Sequence, residues 1–129
     1  MQSAECRESK IESFRELVVW QRAMQLANKV YDAVSKFPKE EMFGLTSQMR
    51  RSAVSVASNI AEGSQRSSKK EFIQFLTIAR GLLAELLTQL ILAQDRQFIP
   101  RVQYEEIYSL IDEVSRMSMR LIQSLKRSI

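Results

Sequence analysis

The side chains best equipped for chemistry are six cations, Arg50, Arg51, Arg66, Lys69, Lys70 and Arg80, gathered within residues 50–80. Only two carboxylates, Glu62 and Glu71, share that stretch, so it sums to +4. Residues 1–49, 81–100 and 101–129 sum to 0, −1 and +1, against +4 for the whole chain. Positive charge concentrated in one segment is what a phosphate backbone or an acidic protein surface attracts. Binding of that kind needs no reactive group.

Reactive groups are scarce. The chain has no histidine, which removes the commonest general acid/base, the commonest transition-metal ligand and every Ser-His or Cys-His pair. The Glu-x-x-His pairs of a di-metal carboxylate bundle are missing for the same reason. Gly44, Gly63 and Gly81 lie too far apart to build a phosphate-cradling loop. Cys6 is the single cysteine, so no intramolecular disulfide framework exists. Carboxylate chemistry remains, with Glu62 and Glu85 as the candidates, and a structural ion pair is the expected role of each. No catalytic residue, metal, cofactor or small-molecule substrate is expected. The chain is read as a binding protein rather than an enzyme.

Arg50 and Arg51 are adjacent, hence about 100° apart on a helix. Arg51 projects with Ser55, Ser58 and Glu62 on a polar side, whereas Arg50 projects between Ala53 and Ala57 on an apolar arc. A guanidinium there must reach out to water or meet a carboxylate, and Glu85 is the expected partner. Glu62 sits in the last turn of its helix, where the macrodipole disfavours a negative charge. A cation such as Arg66 beside it would offset that.

The elements that must position these residues are helices. At 129 residues the chain bounds one domain. With 45% apolar and 26% charged residues it is globular, and three glycines and two prolines leave few places to turn. The first helix is predicted from about Arg15 to Phe37, with Trp20, Ala23, Met24, Ala27, Val30, Tyr31 and Val34 on one face. Pro38 ends it. The second runs from about Leu45 to Glu62, with Met49, Ala53, Val56, Ala57 and Ile60 inward and many small residues that permit close approach. Gly63 is expected to stop it as a left-handed cap. Ser68 and Glu71 fit a capping box opening the third helix, which continues to about Asp95. Its polar residues form one narrow stripe (Glu71, Gln74, Thr77, Gly81, Glu85, Thr88), so more than half its circumference is apolar and needs cover on more than one side. Other copies of the chain are the expected cover. Pro100 opens the fourth helix, to about Lys126, with Ile107, Tyr108, Ile111, Val114, Leu121, Ile122 and Leu125 inward.

The fold class that follows is all-α, an antiparallel up-down-up-down four-helix bundle over residues 14–129 behind a flexible N-terminal leader of residues 1–13. The leader lacks an apolar signal core, and no later apolar run reaches the roughly 18 residues of a bilayer span. A cytoplasmic protein without membrane contact is expected.

Between Phe37 and Leu86 the sequence stops being generic. Leu17-Val18-Val19-Trp20-Gln21, Ala23, Val30-Tyr31, Phe37-Pro38, Glu41 and Gly44-Leu45 lead into Gln48-Met49-Arg50-Arg51-Ser52-Ala53-Val54-Ser55. Ser58-Asn59-Ile60-Ala61-Glu62-Gly63, Lys70-Glu71-Phe72, Phe75-Leu76, Ile78-Ala79-Arg80-Gly81 and Glu85-Leu86 follow. With these residues the chain resembles the four-helix-bundle proteins encoded within intervening sequences of bacterial 23S ribosomal RNA genes, which are related to the accessory protein of diversity-generating retroelements. The similarity spans about residues 14–99 and is weaker in the fourth helix. Leu82 replaces the family's usual serine and Pro100 its usual polar helix cap, departures that touch packing and capping.

The resemblance implies an antiparallel bundle assembled into a ring-like pentamer with a basic surface. The retroelement relatives bind a reverse transcriptase and structured RNA, which implies nucleic-acid binding here. Two roles are therefore expected. In the first, a homo-oligomer binds RNA or ribosomal components through Arg50, Arg51, Arg66, Lys69, Lys70 and Arg80, by shape and charge because no aromatic residues interleave the basic ones. In the second, the oligomer is a scaffold whose basic loop docks an acidic protein.

Overall fold

The computed structural model describes residues 10–129; Cys6 and most of the expected leader lie outside the described residues. Four long helices make up the described chain: α1 (Val18–Val34), α2 (Leu45–Ser64), α3 (Lys69–Asp95) and α4 (Arg101–Arg127). Short 3-10 segments at Lys10–Glu16 and Lys39–Glu41 precede α1 and α2, and no strand occurs among the described residues. Each helix packs on its neighbour in sequence and α4 closes back on α1, while the backbones of the diagonal pairs stay further apart. The result is an all-helical four-helix bundle around one core.

That core is built from the inward stripe of each helix. Met49, Val56 and Ile60 of α2 meet Leu76, Leu83, Leu86 and Leu90 of α3, all but fully buried, with Leu26 and Val30 from α1 and Ile107 and Val114 from α4. Burying each of these side chains contributes about 1.5–3 kcal/mol relative to leaving it in water. The predicted faces of α2 and α3 agree with this core. The predicted face of α1 is rotated: Val19, Leu26 and Ala33 are buried, whereas Met24 and Tyr31 are exposed and Trp20 is half-buried. The periodicity is right, but a wide apolar arc has two edges, and only the packing of α2 and α4 chooses between them. Tyr108 of α4 is likewise exposed, and Ser118 takes an inward position.

Glycine and left-handed geometry fall where the sequence did not place them. Gly63 lies inside α2, is buried, and has no positive φ. A Cβ there would stand 2.6 Å from Phe75 Cβ and 3.0 Å from Phe72 Cδ1. The residue lets α3 come close instead of capping α2. The left-handed residue is Gln97, φ 63°, after the end of α3. There Phe98 N–H donates to the Ala93 carbonyl and Gln97 N–H to the Gln94 carbonyl, both at 2.9 Å, which closes the helix end. A side chain in that conformation costs about 1–2 kcal/mol. Gln97→Gly is therefore expected to raise the midpoint of thermal unfolding, by about 1 kcal/mol of stability. An unchanged or lowered midpoint in a melting curve would contradict this.

Helix α3 also departs from the expectation about bilayer-length stretches. No uninterrupted apolar run of that length occurs, yet over 18 residues its mean hydropathy is 1.6, long and apolar enough to cross a membrane by length and composition. Only 28% of that window is buried inside the bundle. Ile78, Ile91 and Leu92 remain exposed at 50%, 41% and 48%. The surplus of apolar circumference read from the sequence is thus real surface.

Candidate nucleic-acid interface

The six cations lie on α2, α3 and the connection between them, and they point in different directions. Arg50 is half-buried and stands over the Tyr31 ring of α1, 5.2 Å from its centroid. Its Nε is buried without a hydrogen-bond partner. The ion pair expected between Arg50 and Glu85 does not form: among the described residues neither belongs to an ion pair. An aromatic face takes the place of the carboxylate, the guanidinium being attracted by the ring quadrupole. Glu85 is exposed on α3 and shares the α2–α3 groove with Arg51, not Arg50. One helical residue step accounts for the difference.

Arg66 sits in the connection between α2 and α3. It pairs with Glu62 at 3.6 Å, as the sequence suggested, and with Glu71 at 3.8 Å, and lies 5.2 Å over the Phe75 ring. Two carboxylates and a ring leave it little charge to offer a ligand. Lys69 and Lys70 follow in the first turn of α3. Ser68 caps that turn, its Oγ accepting the Glu71 N–H at 3.1 Å. The Glu71 carboxylate accepts from the hydroxyls of Ser67 and Ser68 at 3.3 and 3.4 Å. The capping serine thus behaves as the box predicts, and the carboxylate turns to the hydroxyls. Lysines in a first turn oppose the helix macrodipole, so helix stability does not account for them.

The structure adds two cations that linear charge counting missed. Lys69 Nζ donates to the Ser128 carbonyl at 3.2 Å, which brings the last turn of α4, with Lys126 and Arg127, beside the first turn of α3. These residues lie far from Lys69 and Lys70 in sequence, so no window of composition joins them. Gln65 Nε2 donates to Ser13 Oγ at 3.2 Å, drawing the 3-10 segment to the same end. Arg80 is separate again: half-buried midway along α3, in the groove against α4. The six residues singled out from the sequence therefore occupy two interhelical grooves, one ring face and one end of the bundle. Among the described residues, no group of three Cys, Asp or Glu side chains could hold a metal ion.

Fold and side chains together define a small helical-bundle protein that presents cations and interhelical grooves. The chain belongs to the 23S rRNA-intervening sequence protein family, whose profile matches residues 15–120. Among solved structures it is similar to a protein of unknown function from the S23 ribosomal protein family of Bacteroides thetaiotaomicron VPI-5482. The two are 28% identical over 82% of this chain and 96% of that one, with a TM-score of 0.73. No curated protein matches the chain.

Proposed function

We propose that this protein acts by binding, as a cytoplasmic homo-oligomer that holds structured RNA, of ribosomal type, against the end of the bundle where α3 begins and α4 finishes. The observation that carries the proposal is the Lys69–Ser128 contact, which sets Lys126 and Arg127 beside Lys69 and Lys70. The positive end of the α3 macrodipole lies at the same place and favours phosphate. Membership of a family named for 23S rRNA supports the choice of nucleic acid. The site offers few phosphate contacts per chain, so useful affinity relies on several copies engaging one RNA.

The helices run alternately up and down in this reading, in keeping with the short connections and the meeting of residues 69 and 128. Oligomerisation rests on exposed apolar side chains on two parts of the bundle: Met24, Tyr31 and Val54 along the α1–α2 groove, and Ile78, Ile91 and Leu92 on α3. The subunit number expected from the family resemblance is five. Light scattering on the purified chain without RNA is expected to give a multiple of the 14.9 kDa monomer mass, and Ile91→Glu with Leu92→Glu is expected to reduce it to the monomer. A monomeric wild-type chain at high concentration would refute the assembly.

A scaffold role is the second reading, favoured by the same exposed grooves. In that case an acidic protein partner stays bound after nuclease treatment, whereas the RNA reading requires the retained material to be nuclease-sensitive.

A further inference from the structure

The groove between α3 and α4 holds a charge that neither reading uses. It has a volume of about 430 Å³ and an apolar floor of Leu83, Leu87 and Ile111, within the range of small-molecule sites. Arg80 stands in its wall, and the Nε of that residue is buried without a hydrogen-bond partner. That atom is closed to the groove as well as to water, so the residue offers a ligand the terminal end of its guanidinium. The neighbouring carboxylate, Asp112, also lines the groove, but it is bound by Arg116 on its own helix. Arg80 belongs to no ion pair among the described residues. Tyr108 lines the groove, 46% exposed, and at Gly81 a Cβ would meet nothing within 4 Å, so the entrance is open.

We infer that this groove binds a small organic carboxylate with an apolar body, its carboxylate taken end-on by the terminal nitrogens of Arg80. Two features select that chemistry. A bidentate carboxylate matches the fork of a guanidinium. The floor supplies apolar surface for a chain of several methylenes, which gains from burial in proportion to its length. Asp112 sets a limit, since its residual negative charge opposes any anion and disfavours a doubly charged head.

The test uses octanoate as the probe, titrated into the full chain and followed by calorimetry and by backbone amide NMR shifts. Saturable binding of one octanoate per chain is expected, with shifts centred on residues 77–87 and 108–115. Acetate, which keeps the head, and 1-octanol, which keeps the body, are each expected to bind at least tenfold more weakly. Arg80→Gln is expected to weaken octanoate at least tenfold, and Asp112→Asn to tighten it. Ala84→Phe, which fills the groove from an exposed position, provides a second loss-of-binding variant should Arg80→Gln melt early. Lys69→Glu with Lys70→Glu is expected to leave octanoate binding unchanged, which separates this site from the RNA surface. Octanoate that fails to saturate, binds Arg80→Gln as tightly as wild type, or binds no better than 1-octanol overturns the inference.

Discussion

Replacing Gly63 with alanine is expected to lower the unfolding free energy by about 2 kcal/mol, even though alanine is the better helix former. Two effects oppose each other. The exchange of glycine for alanine inside a helix contributes about 1 kcal/mol in favour of the variant. Against it, the new methyl group would lie 2.6 Å from Phe75 Cβ. Phe72 can rotate its ring away, but a Cβ is fixed to the backbone, so α2 and α3 must move apart along their contact. Overpacking of this kind costs about 1–3 kcal/mol and occasionally more, and a Cβ-to-Cβ conflict belongs at the upper end. The net loss corresponds to a fall in melting temperature of about 6–10 °C for a chain of this size. Gly81→Ala is the internal control: its Cβ meets nothing within 4 Å, so only the helix-propensity gain of about 1 kcal/mol remains. Thermal unfolding followed by circular dichroism should move in opposite directions for the two variants. If both rise together, the close approach of α3 at Gly63 is not what the structure describes.

The second large effect concerns RNA. Reversing Lys69, Lys70, Lys126 and Arg127 to glutamate is expected to abolish retention of a structured RNA that the wild-type chain holds. With four phosphate contacts per chain, raising salt from 50 to 200 mM should weaken wild-type binding by about fifty- to hundred-and-fifty-fold. Any residual binding by the quadruple variant should lack this salt dependence, because its four counterion-releasing contacts are gone. Arg66→Gln should change affinity by about twofold at most, because the Glu62 and Glu71 carboxylates beside that guanidinium cancel its attraction for a phosphate. Filter binding at several salt concentrations measures both quantities. Equal RNA retention by the quadruple variant would remove the bundle end as the binding surface, while a large loss for Arg66→Gln would move the site into the α2–α3 connection.

Much of this architecture is legible without coordinates, and the reasons are local. Helices α2 and α3 begin within a residue of the positions expected, because Gly44 and Pro38 punctuate one and Ser68 caps the other. The Glu62–Arg66 pair could be read directly, since residues four apart on a helix surface are neighbours. What failed was rotation and long-range placement. Trp20, Met24 and Tyr31 satisfy the same periodicity as Val19, Leu26 and Ala33, and the choice depends on where neighbouring helices lie. A charge on an apolar arc calls for compensation by a carboxylate; at Arg50 the compensation is Tyr31, from another helix.

By itself, the sequence determined the class of fold, the absence of histidine-based chemistry, the excess of apolar surface on α3 and the segment richest in positive charge. Those are properties of residue types and spacings of a few positions, which a helix converts directly into faces. Only the tertiary structure decided that Gly63 is a point of contact, that Arg80 stands apart in a groove, and that Lys126 and Arg127 join Lys69 and Lys70. Each of these depends on which helices are neighbours and how they are turned, and side-chain packing across helices sets that, with no trace in local periodicity.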